Sequence, residues 1–302
     1  MTDHRTPETE DTAEPAEARR SAPTEPAEAT AAPHGATADR PGPAVDRLDV
    51  RGALPADADA ARGTAARVHV VVPAHDEETR ITACLAALGR AVDRLRTDRP
   101  EVEVTVTVVL DGCTDGTLAA VRAAASPWLH VLETARGGVG RARALGAAAA
   151  LASPSTTGAE AAPGRQWLAH TDADSRVDAG WLVQQLAALD DGAHLLVGAV
   201  VPDPQDLDPA VLARWEAAHP PGATLGHVHG ANLGVRADAY AAIGGFDPVP
   251  EHEDVRFVER ARELGLRVDA TTDLPVVTSG RFDGRTPGGY ADHLRRTYGD
   301  GG

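Results

Sequence analysis

The amino-acid sequence predicts an α/β protein with a doubly wound, mostly parallel β-sheet and helices on both faces of that sheet. Short β-branched runs alternate with segments of helical periodicity, and turns rich in Gly, Pro and Asp connect them. Strands joined through an intervening helix run parallel, because the helix returns the chain to the edge where the first strand began. Several predicted strands end at acidic residues, which places carboxylates along the edge where such sheets bind ligands.

The first half of the folded region shows this alternation most clearly. Residues 68–73 form a β-branched run that stops at a proline, which is typical of a buried strand, and residues 77–95 carry apolar positions at helical spacing. Strands are next predicted at 102–110, 129–132 and 167–170, and helices at 117–125 and 140–152.

The second half is less regular, and it contains no internal repeat. Its predicted elements are a strand at 194–201, a helix at 209–219, a Gly-rich turn leading into a strand at 230–235, and helices at 237–243 and 254–264.

Residues 1–66 differ in composition from the rest of the chain. They are rich in Pro, Ala, Glu, Thr and Asp, contain no aromatic residue and show no apolar periodicity. Such a segment cannot bury enough apolar surface to offset the entropy lost on ordering. We therefore expect a disordered acidic tail over 1–66, followed by one domain over 67–302.

The formal net charge of −16 argues against a nucleic-acid-binding protein and against docking on an anionic membrane. Cys84 and Cys113 are too few for a disulfide framework or, by themselves, for a zinc site, and free thiols are typical of a reducing compartment. No stretch approaches the roughly 20 apolar residues of a membrane-spanning helix, and the N-terminus lacks the pattern of a signal peptide. We expect a cytoplasmic protein without an integral membrane segment.

Carboxylates follow three of the predicted strands, the first of which ends before Asp76 and Glu77. Asp172 and Asp174 lie two residues apart on a turn, where both can reach one hard cation such as Mg²⁺ or Mn²⁺. Asp111 ends another strand and can accept hydrogen bonds from a nucleobase, whereas Asp115 is expected to cap the next helix. The alternative for Asp172 and Asp174 is that they only cap their turn, where Asp is common.

Several segments resemble the motifs of family 2 glycosyltransferases. Residues 70–78 (VVVPAHDEE) are similar to the family's opening strand, VVIPAYNEE, and residues 109–117 (VLDGCTDGT) to its VDDGSTDGT segment. Further matches, in the family's order, are 140–146 with the aARNxG helix, 171–175 with the metal-binding Asp-x-Asp, 230–236 and 244–247 with the acceptor-side region, and 253–254 with the late acidic pair. Six such motifs in order, spanning roughly residues 68–270, are a specific signal.

The resemblance implies a GT-A fold and transfer of a sugar, in the manner of a hexosyltransferase, from a nucleotide diphosphate-sugar to an acceptor hydroxyl. It divides the domain into a nucleotide-sugar-binding half at 67–175 and an acceptor-binding half at 176–302. On the donor side, it implies that Pro73, His75 and Glu77 line the nucleoside pocket and that Asp111 binds the base. Arg143, in the aARNxG-like helix, is placed with the nucleotide-sugar-binding residues.

The resemblance also implies a divalent cation, Mn²⁺ or Mg²⁺, held by Asp174 with Asp172 on the ribose and metal side. Inverting transfer needs a general base on the acceptor hydroxyl, and the match is Asp254, with Glu253 beside it. A cation would offset the charge that grows on the leaving diphosphate. The alternative is helix N-capping by Asp254 or Glu251.

The sequence departs from the family's pattern at several positions. Leu110 replaces the first Asp of the usual pair, His75 replaces Tyr, and Ala144 replaces Asn. The chain lacks the Gln-x-x-Arg-Trp motif and the membrane helices of processive members, so a long polysaccharide product is not expected.

Other polar and aromatic residues lie near the matched motifs in the sequence. Arg281 lies in a Gly-containing loop after a strand and is expected to clamp phosphate, with a solvated loop arginine as the alternative. Structural roles are expected for His227, His229 and His293, with acceptor contacts from His227 and His229 and a third metal contact from His293 as the alternatives. Trp215 is expected to pack in the core.

Two other functions remain open at this point. A nucleotidylyltransferase on a related fold would need a Gly-rich, Arg-containing loop after the first strand, whereas here that loop carries Asp76, Glu77 and Glu78. A non-catalytic nucleotide-sugar-binding module would not need to retain the acidic residues at all of the matched positions.

Overall fold

The computed structural model describes residues 66–155, 161–284 and 288–299 of the 302-residue chain. The predicted tail, apart from Ala66, lies outside the described residues. The described strands are β1 (Arg67–Ala74), β2 (Glu103–Asp111), β3 (Leu129–Thr134), β4 (Gln166–His170), β5 (Leu195–Pro202), β6 (Leu233–Arg236) and β7 (Val268–Thr278). The described helices are α1 (Ile81–Asp98), α2 (Thr117–Ala123), α3 (Val139–Ala152), α4 (Trp181–Asp190), α5 (Pro209–Ala218), α6 (Ala237–Ile243), α7 (Glu253–Glu263) and α8 (Tyr290–Tyr298).

The described strands form one sheet with the order β3-β2-β1-β4-β6-β5-β7. Strand β6 is antiparallel to both of its neighbours, and the other pairings in the sheet are parallel. The predicted mostly parallel α/β sheet is confirmed. The chain runs outward from β1 through β2 to β3 and then returns to place β4 on the other side of β1, so a crevice opens at the carboxyl ends of β1 and β4.

Helices cover both faces of the sheet, as the sequence predicts. Successive side chains of β1 alternate between two core clusters: Val70 and Val72 pack with Leu88 of α1, and Val71 packs with Ala147 of α3. Helix α3 approaches closely because of Gly146, where an added Cβ would lie 2.5 Å from Cγ1 of Val71.

The bounds of several elements differ from the prediction. Helix α1 begins at Ile81 rather than at residue 77, because Asp76 takes a left-handed backbone conformation and the chain turns before the helix starts. Helix α4 and helix α8 were not predicted, and β7 was given no bounds. Among the described helices, none combines the length and the apolar character needed to cross a bilayer.

Candidate active site

A cavity of about 770 Å³ opens at the carboxyl ends of the central strands. Every site residue proposed from the sequence lines this cavity: Pro73, His75, Glu77, Asp111, Arg143, Asp172, Asp174, Glu253, Asp254 and Arg281. The fold therefore brings together residues from four strand ends and two helices that are distant in the sequence.

Arg281 bridges the ends of β1 and β7. Its guanidinium donates to both carboxylate oxygens of Glu77, including a 2.8 Å bond from Nη1, and its Nη2 lies 3.1 Å from Oδ2 of Asp174. The hydrogen bonds that Arg281 donates to Glu77 raise the pKa of Arg281, so the side chain stays cationic. Arg281 is thus a fixed positive charge at the cavity wall, beside Asp174 of the Asp-x-Asp turn.

Arg143 of α3 holds a second, more deeply buried ion-pair network. Its two terminal nitrogens donate to Oε1 of Glu253, at the start of α7, and to Oδ1 of Asp172. The network is tight, because an added Cβ on Gly230 would lie 2.3 Å from Nη2 of Arg143. Arg143 therefore fixes the position of Asp172 and neutralises Glu253.

Asp172 and Asp174 have the properties of a hard-cation site. Burial, followed by the nearby charge of Asp172, raises the pKa of Asp174 to about 6. Burial also raises the pKa of Asp172, against the opposing effect of Arg143. Two partly buried carboxylates that repel each other are stabilised by a divalent cation, and Mg²⁺ and Mn²⁺ prefer such oxygen ligands. The residues present fit the expected metal.

Asp111 is buried, and its carboxylate anchors the loop before α3. One carboxylate oxygen accepts from the backbone N–H of Gly137 (2.7 Å) and the other from Gly138 (2.9 Å). The carbonyl oxygen of Asp111 accepts from Nδ1 of His75 (2.8 Å), which sets the orientation of that ring. The structure gives Asp111 a positioning role, and its contact with a base stays a prediction.

Asp254 lies in the first turn of α7, and its contacts differ from those of an N-cap. Oδ2 accepts from the backbone N–H of Gly230 (2.6 Å), while the N-cap position is His252, which makes no side-chain capping bond. Glu251 is likewise not the N-cap. The negative charge of Asp254 contributes to the raised pKa of Asp172, so the two carboxylates face the same cavity.

An aromatic wall completes the cavity on the side of α5 and α8. Most of its residues were not predicted from the sequence. We define it as Trp215, His219, Tyr290, His293 and Tyr298. Trp215 stacks on His219 with ring centroids 4.4 Å apart, and the His293 and Tyr298 rings are 6.2 Å apart. Trp215 packs in a core cluster with Leu294, as predicted, and it also lines the cavity. Two of the three tyrosines of the chain fall within 290–298, a sequence signal for this wall.

The two histidines considered for the acceptor side lie on the loop before β6 and line the same cavity. His229 contacts the ring of Tyr290, with centroids 5.7 Å apart. Burial lowers the pKa of His229 to about 4, so this ring is neutral at pH 7 and adds no positive charge. His227 lines the cavity near it.

Solved structures of similar shape share low sequence identity with this chain. Residues 1–349 of TarS from S. aureus are 18% identical, with 71% of this chain and 60% of that chain covered and a TM-score of 0.48. The mannosyltransferase PcManGT from Pyrobaculum calidifontis, in complex with GDP-Man and Mn²⁺, is 18% identical over 77% of this chain and 69% of that chain, with a TM-score of 0.48. Glucosyl-3-phosphoglycerate synthase from Mycobacterium tuberculosis, in complex with Mg²⁺ and UDP, is 18% identical over 74% of each chain, with a TM-score of 0.49.

No curated protein is significantly similar in sequence to this chain. The model of the family described as glycosyl transferase family 2 matches residues 69–243, which is more than half of the chain. The mostly parallel α/β sheet agrees with the GT-A fold expected for that family. The chain belongs to glycosyl transferase family 2.

Proposed function

We propose that this chain transfers a sugar from a UDP- or GDP-sugar to an acceptor hydroxyl, in a single displacement assisted by Mn²⁺ or Mg²⁺. Family membership supports glycosyl transfer. The observation that carries the finer proposal is the shared cavity, in which the acidic turn at Asp172 and Asp174 faces the carboxylate of Asp254. A cytoplasmic location stays a prediction based on the sequence.

The donor side of the proposed site is built from residues 67–175 and Arg281. Asp172 and Asp174 would hold the cation, which when bound offsets the negative charge of the leaving diphosphate. Arg281 keeps its positive charge next to Asp174 and adds N–H donors suited to phosphate oxygens. Pro73 and His75 line the cavity at the end of β1, where we place the nucleoside.

The acceptor side is built from residues 176–302, and we assign the general base to Asp254. Glu253 is 3% exposed and its carboxylate is already paired with Arg143, so it is poorly suited to take a proton from an acceptor. Asp254 is partly exposed and lines the cavity. A carboxylate in hydrogen-bond reach of the acceptor hydroxyl can remove its proton as the oxygen attacks the sugar.

The aromatic wall lies on the acceptor half of the cavity, and we place the acceptor against it. Its rings offer apolar faces and few charges, which suits a ring-bearing, uncharged group. The acidic residues of the cavity outnumber its arginines, so an anionic acceptor would be repelled.

The proposal is tested by separating binding from turnover. With Mn²⁺ and a panel of labelled UDP- and GDP-sugars, we expect release or transfer of one sugar by the wild-type chain. Asp254→Asn should lower kcat by about 10²–10⁴-fold while the Kd for the nucleotide changes little. Asp174→Asn should lower kcat and also weaken nucleotide binding.

The matched comparison is between these two isosteric variants, which each remove one carboxylate from the same cavity. Equal turnover in wild type and Asp254→Asn would contradict the assignment of the base. Binding of a nucleotide without turnover of any donor or acceptor would instead favour a non-catalytic binding module.

A further inference from the structure

A second group of side chains of metal-binding types lies near the cavity, apart from the acidic turn at Asp172 and Asp174. It comprises His75 and Asp76, after β1, and Cys113, after β2. One ligand atom of each residue lies within 4.8 Å of the others. No other group of this kind occurs among the residues that the structure describes.

The ring of His75 is oriented as in a metal ligand. Its Nδ1 donates to the carbonyl oxygen of Asp111 (2.8 Å), so the proton of the neutral ring is on Nδ1 and the lone pair is on Nε2. Metal-binding histidines are commonly held by such a bond from the other ring nitrogen. Nε2 lies 3.5 Å from Oδ2 of Asp76. Two ligands about 2.1 Å from a tetrahedral cation lie about 3.4 Å apart, so this spacing needs little adjustment.

The backbone places Asp76 and Cys113 toward that ring. Asp76 has a φ of +50°, a conformation that non-glycine residues rarely adopt, and its Oδ1 accepts from the backbone N–H of Thr114 (2.7 Å). Cys113 is half-buried, and its Sγ lies 3.4 Å from the carbonyl oxygen of Ala74. Since tetrahedral S and N ligands lie about 3.6 Å apart, the thiol needs to move by no more than about 1.2 Å.

The ligand types select a different cation from the one expected at Asp172 and Asp174. Imidazole nitrogen and thiolate sulfur, together with one carboxylate, suit Zn²⁺, whereas oxygen-only sets suit Mg²⁺ and Mn²⁺. The motifs quoted above, VVIPAYNEE and VDDGSTDGT, carry Tyr, Asn and Ser at the matching positions. The set is therefore a property of this chain, and the motif residues provide substitutions that the local backbone is expected to accept.

We propose that His75, Asp76 and Cys113 bind one soft divalent cation of the Zn²⁺ type, with a fourth coordination position left for water or another ligand. Binding would replace the thiol proton of Cys113, which is released to solvent, by a metal–sulfur bond. It would also join the turns after β1 and β2 directly. Because His75 lines the cavity, the bound cation would lie at its border, at the end opposite the aromatic wall in our proposed arrangement.

The test uses the untagged full-length chain, reduced and freed of metal, titrated with Co²⁺ as a spectroscopic probe. We expect one equivalent to produce a thiolate-to-cobalt charge-transfer band, which Zn²⁺ then abolishes by competition. Cys113→Ser should remove the band, and His75→Tyr and Asp76→Asn should each weaken Co²⁺ binding by at least about 10-fold.

Two control variants make the result specific. Cys84→Ala removes the other, fully buried thiol and should leave the band unchanged. Asp174→Asn should also leave it unchanged, so failure of the proposed hard-metal site and failure of this one can be told apart. Absence of the band in wild type, its persistence in Cys113→Ser, or its loss in Cys84→Ala would each overturn the proposal.

Discussion

Replacing Arg143 by Met should be among the most destabilising single changes in this chain. Arg143 is 2% exposed and Glu253 is 3% exposed, and they form a direct ion pair. Removing one partner of a buried pair leaves an uncompensated charge and costs about 3–5 kcal/mol of unfolding free energy. The second partner of Arg143, Asp172, has a 34% exposed side chain, so water compensates this carboxylate when Arg143 is removed. The lost Arg143–Asp172 contact therefore adds less than about 1 kcal/mol to the destabilisation.

The pair can be isolated from other effects by a double-mutant cycle. Arg143→Met, Glu253→Met and the double variant are compared with wild type by urea-induced unfolding, with the slope m checked for constancy. Because replacing both charges by apolar side chains removes the buried unpaired group, the double variant should be more stable than Arg143→Met. We expect a coupling energy of at least about 2 kcal/mol.

Two results would refute this reasoning. A loss below about 1 kcal/mol in Arg143→Met would mean that Glu253 is not desolvated. Effects that add to within about 0.5 kcal/mol in the double variant would mean that the two side chains do not interact.

Three further predictions concern the same region and the core. Gly230→Ala should displace the Arg143 guanidinium and lower both stability and turnover. In the control variant Gly89→Ala the added Cβ would lie 3.6 Å from the nearest side-chain atom. Thermal unfolding of this control should show no change or a stabilisation of up to about 1 kcal/mol. Burial lowers the pKa of His69 to about 4, below its unfolded value near 6.5, so its contribution is complete above pH 6.5 and lost as the pH falls toward 4. Between pH 6.5 and 4, the unfolding free energy of His69→Gln should therefore fall less than that of wild type, by up to about 3 kcal/mol. Equal falls in chemical unfolding would contradict this prediction. Arg281→Gln removes a cation that lowers the pKa of Asp174. As the pH is lowered, Mn²⁺ affinity measured by calorimetry should therefore begin to fall at a higher pH in this variant than in wild type, where it falls near pH 6. An unchanged pH profile of the affinity would argue against the contact between Arg281 and Asp174.

Local patterns predicted the central strands and the acidic edge of the sheet. The run at 68–73 is β-branched and ends at a proline, so its identity as buried β1 could be predicted from the sequence alone. Asp172 and Asp174 could be found because they follow a strand and match a motif. Such features depend on neighbouring residues, which a single sequence displays directly.

The elements that were not predicted, or were predicted without bounds, lack local signals. Strand β7 lies at the end of the sheet order, is mostly half-exposed, and contains Leu274 with a φ of +51° followed by Pro275. Helix α4 begins after Gly180 without a side-chain cap. Helix α8 has nine residues and packs through Leu294 and Tyr298 against Trp215, so its stability depends on a distant partner.

The ion-pair partners of the site residues also could not be predicted from the sequence. Glu77 was expected to line the nucleoside pocket, and it does line the cavity, but its ion pair is with Arg281, 204 residues away. Glu253 was expected beside the general base, and its pairing with Arg143 spans 110 residues. These contacts form only when the sheet brings α3, α7 and the loop after β7 to one edge, and no local pattern encodes them.

The central claim is that the cavity binds a nucleoside diphosphate together with a divalent cation held by Asp172 and Asp174. The most direct measurement is the thermal unfolding midpoint with UDP, GDP, CDP, ADP or dTDP, each with and without Mn²⁺, for wild type and Asp174→Asn. At a concentration of 100 times Kd, binding stabilises the folded state by about 2.7 kcal/mol, which corresponds to about 5–10 °C for a domain of this size. We predict that UDP or GDP raises the midpoint only when Mn²⁺ is present and that Asp174→Asn abolishes the rise. No rise with any nucleotide, or a rise that persists in Asp174→Asn, would contradict the account.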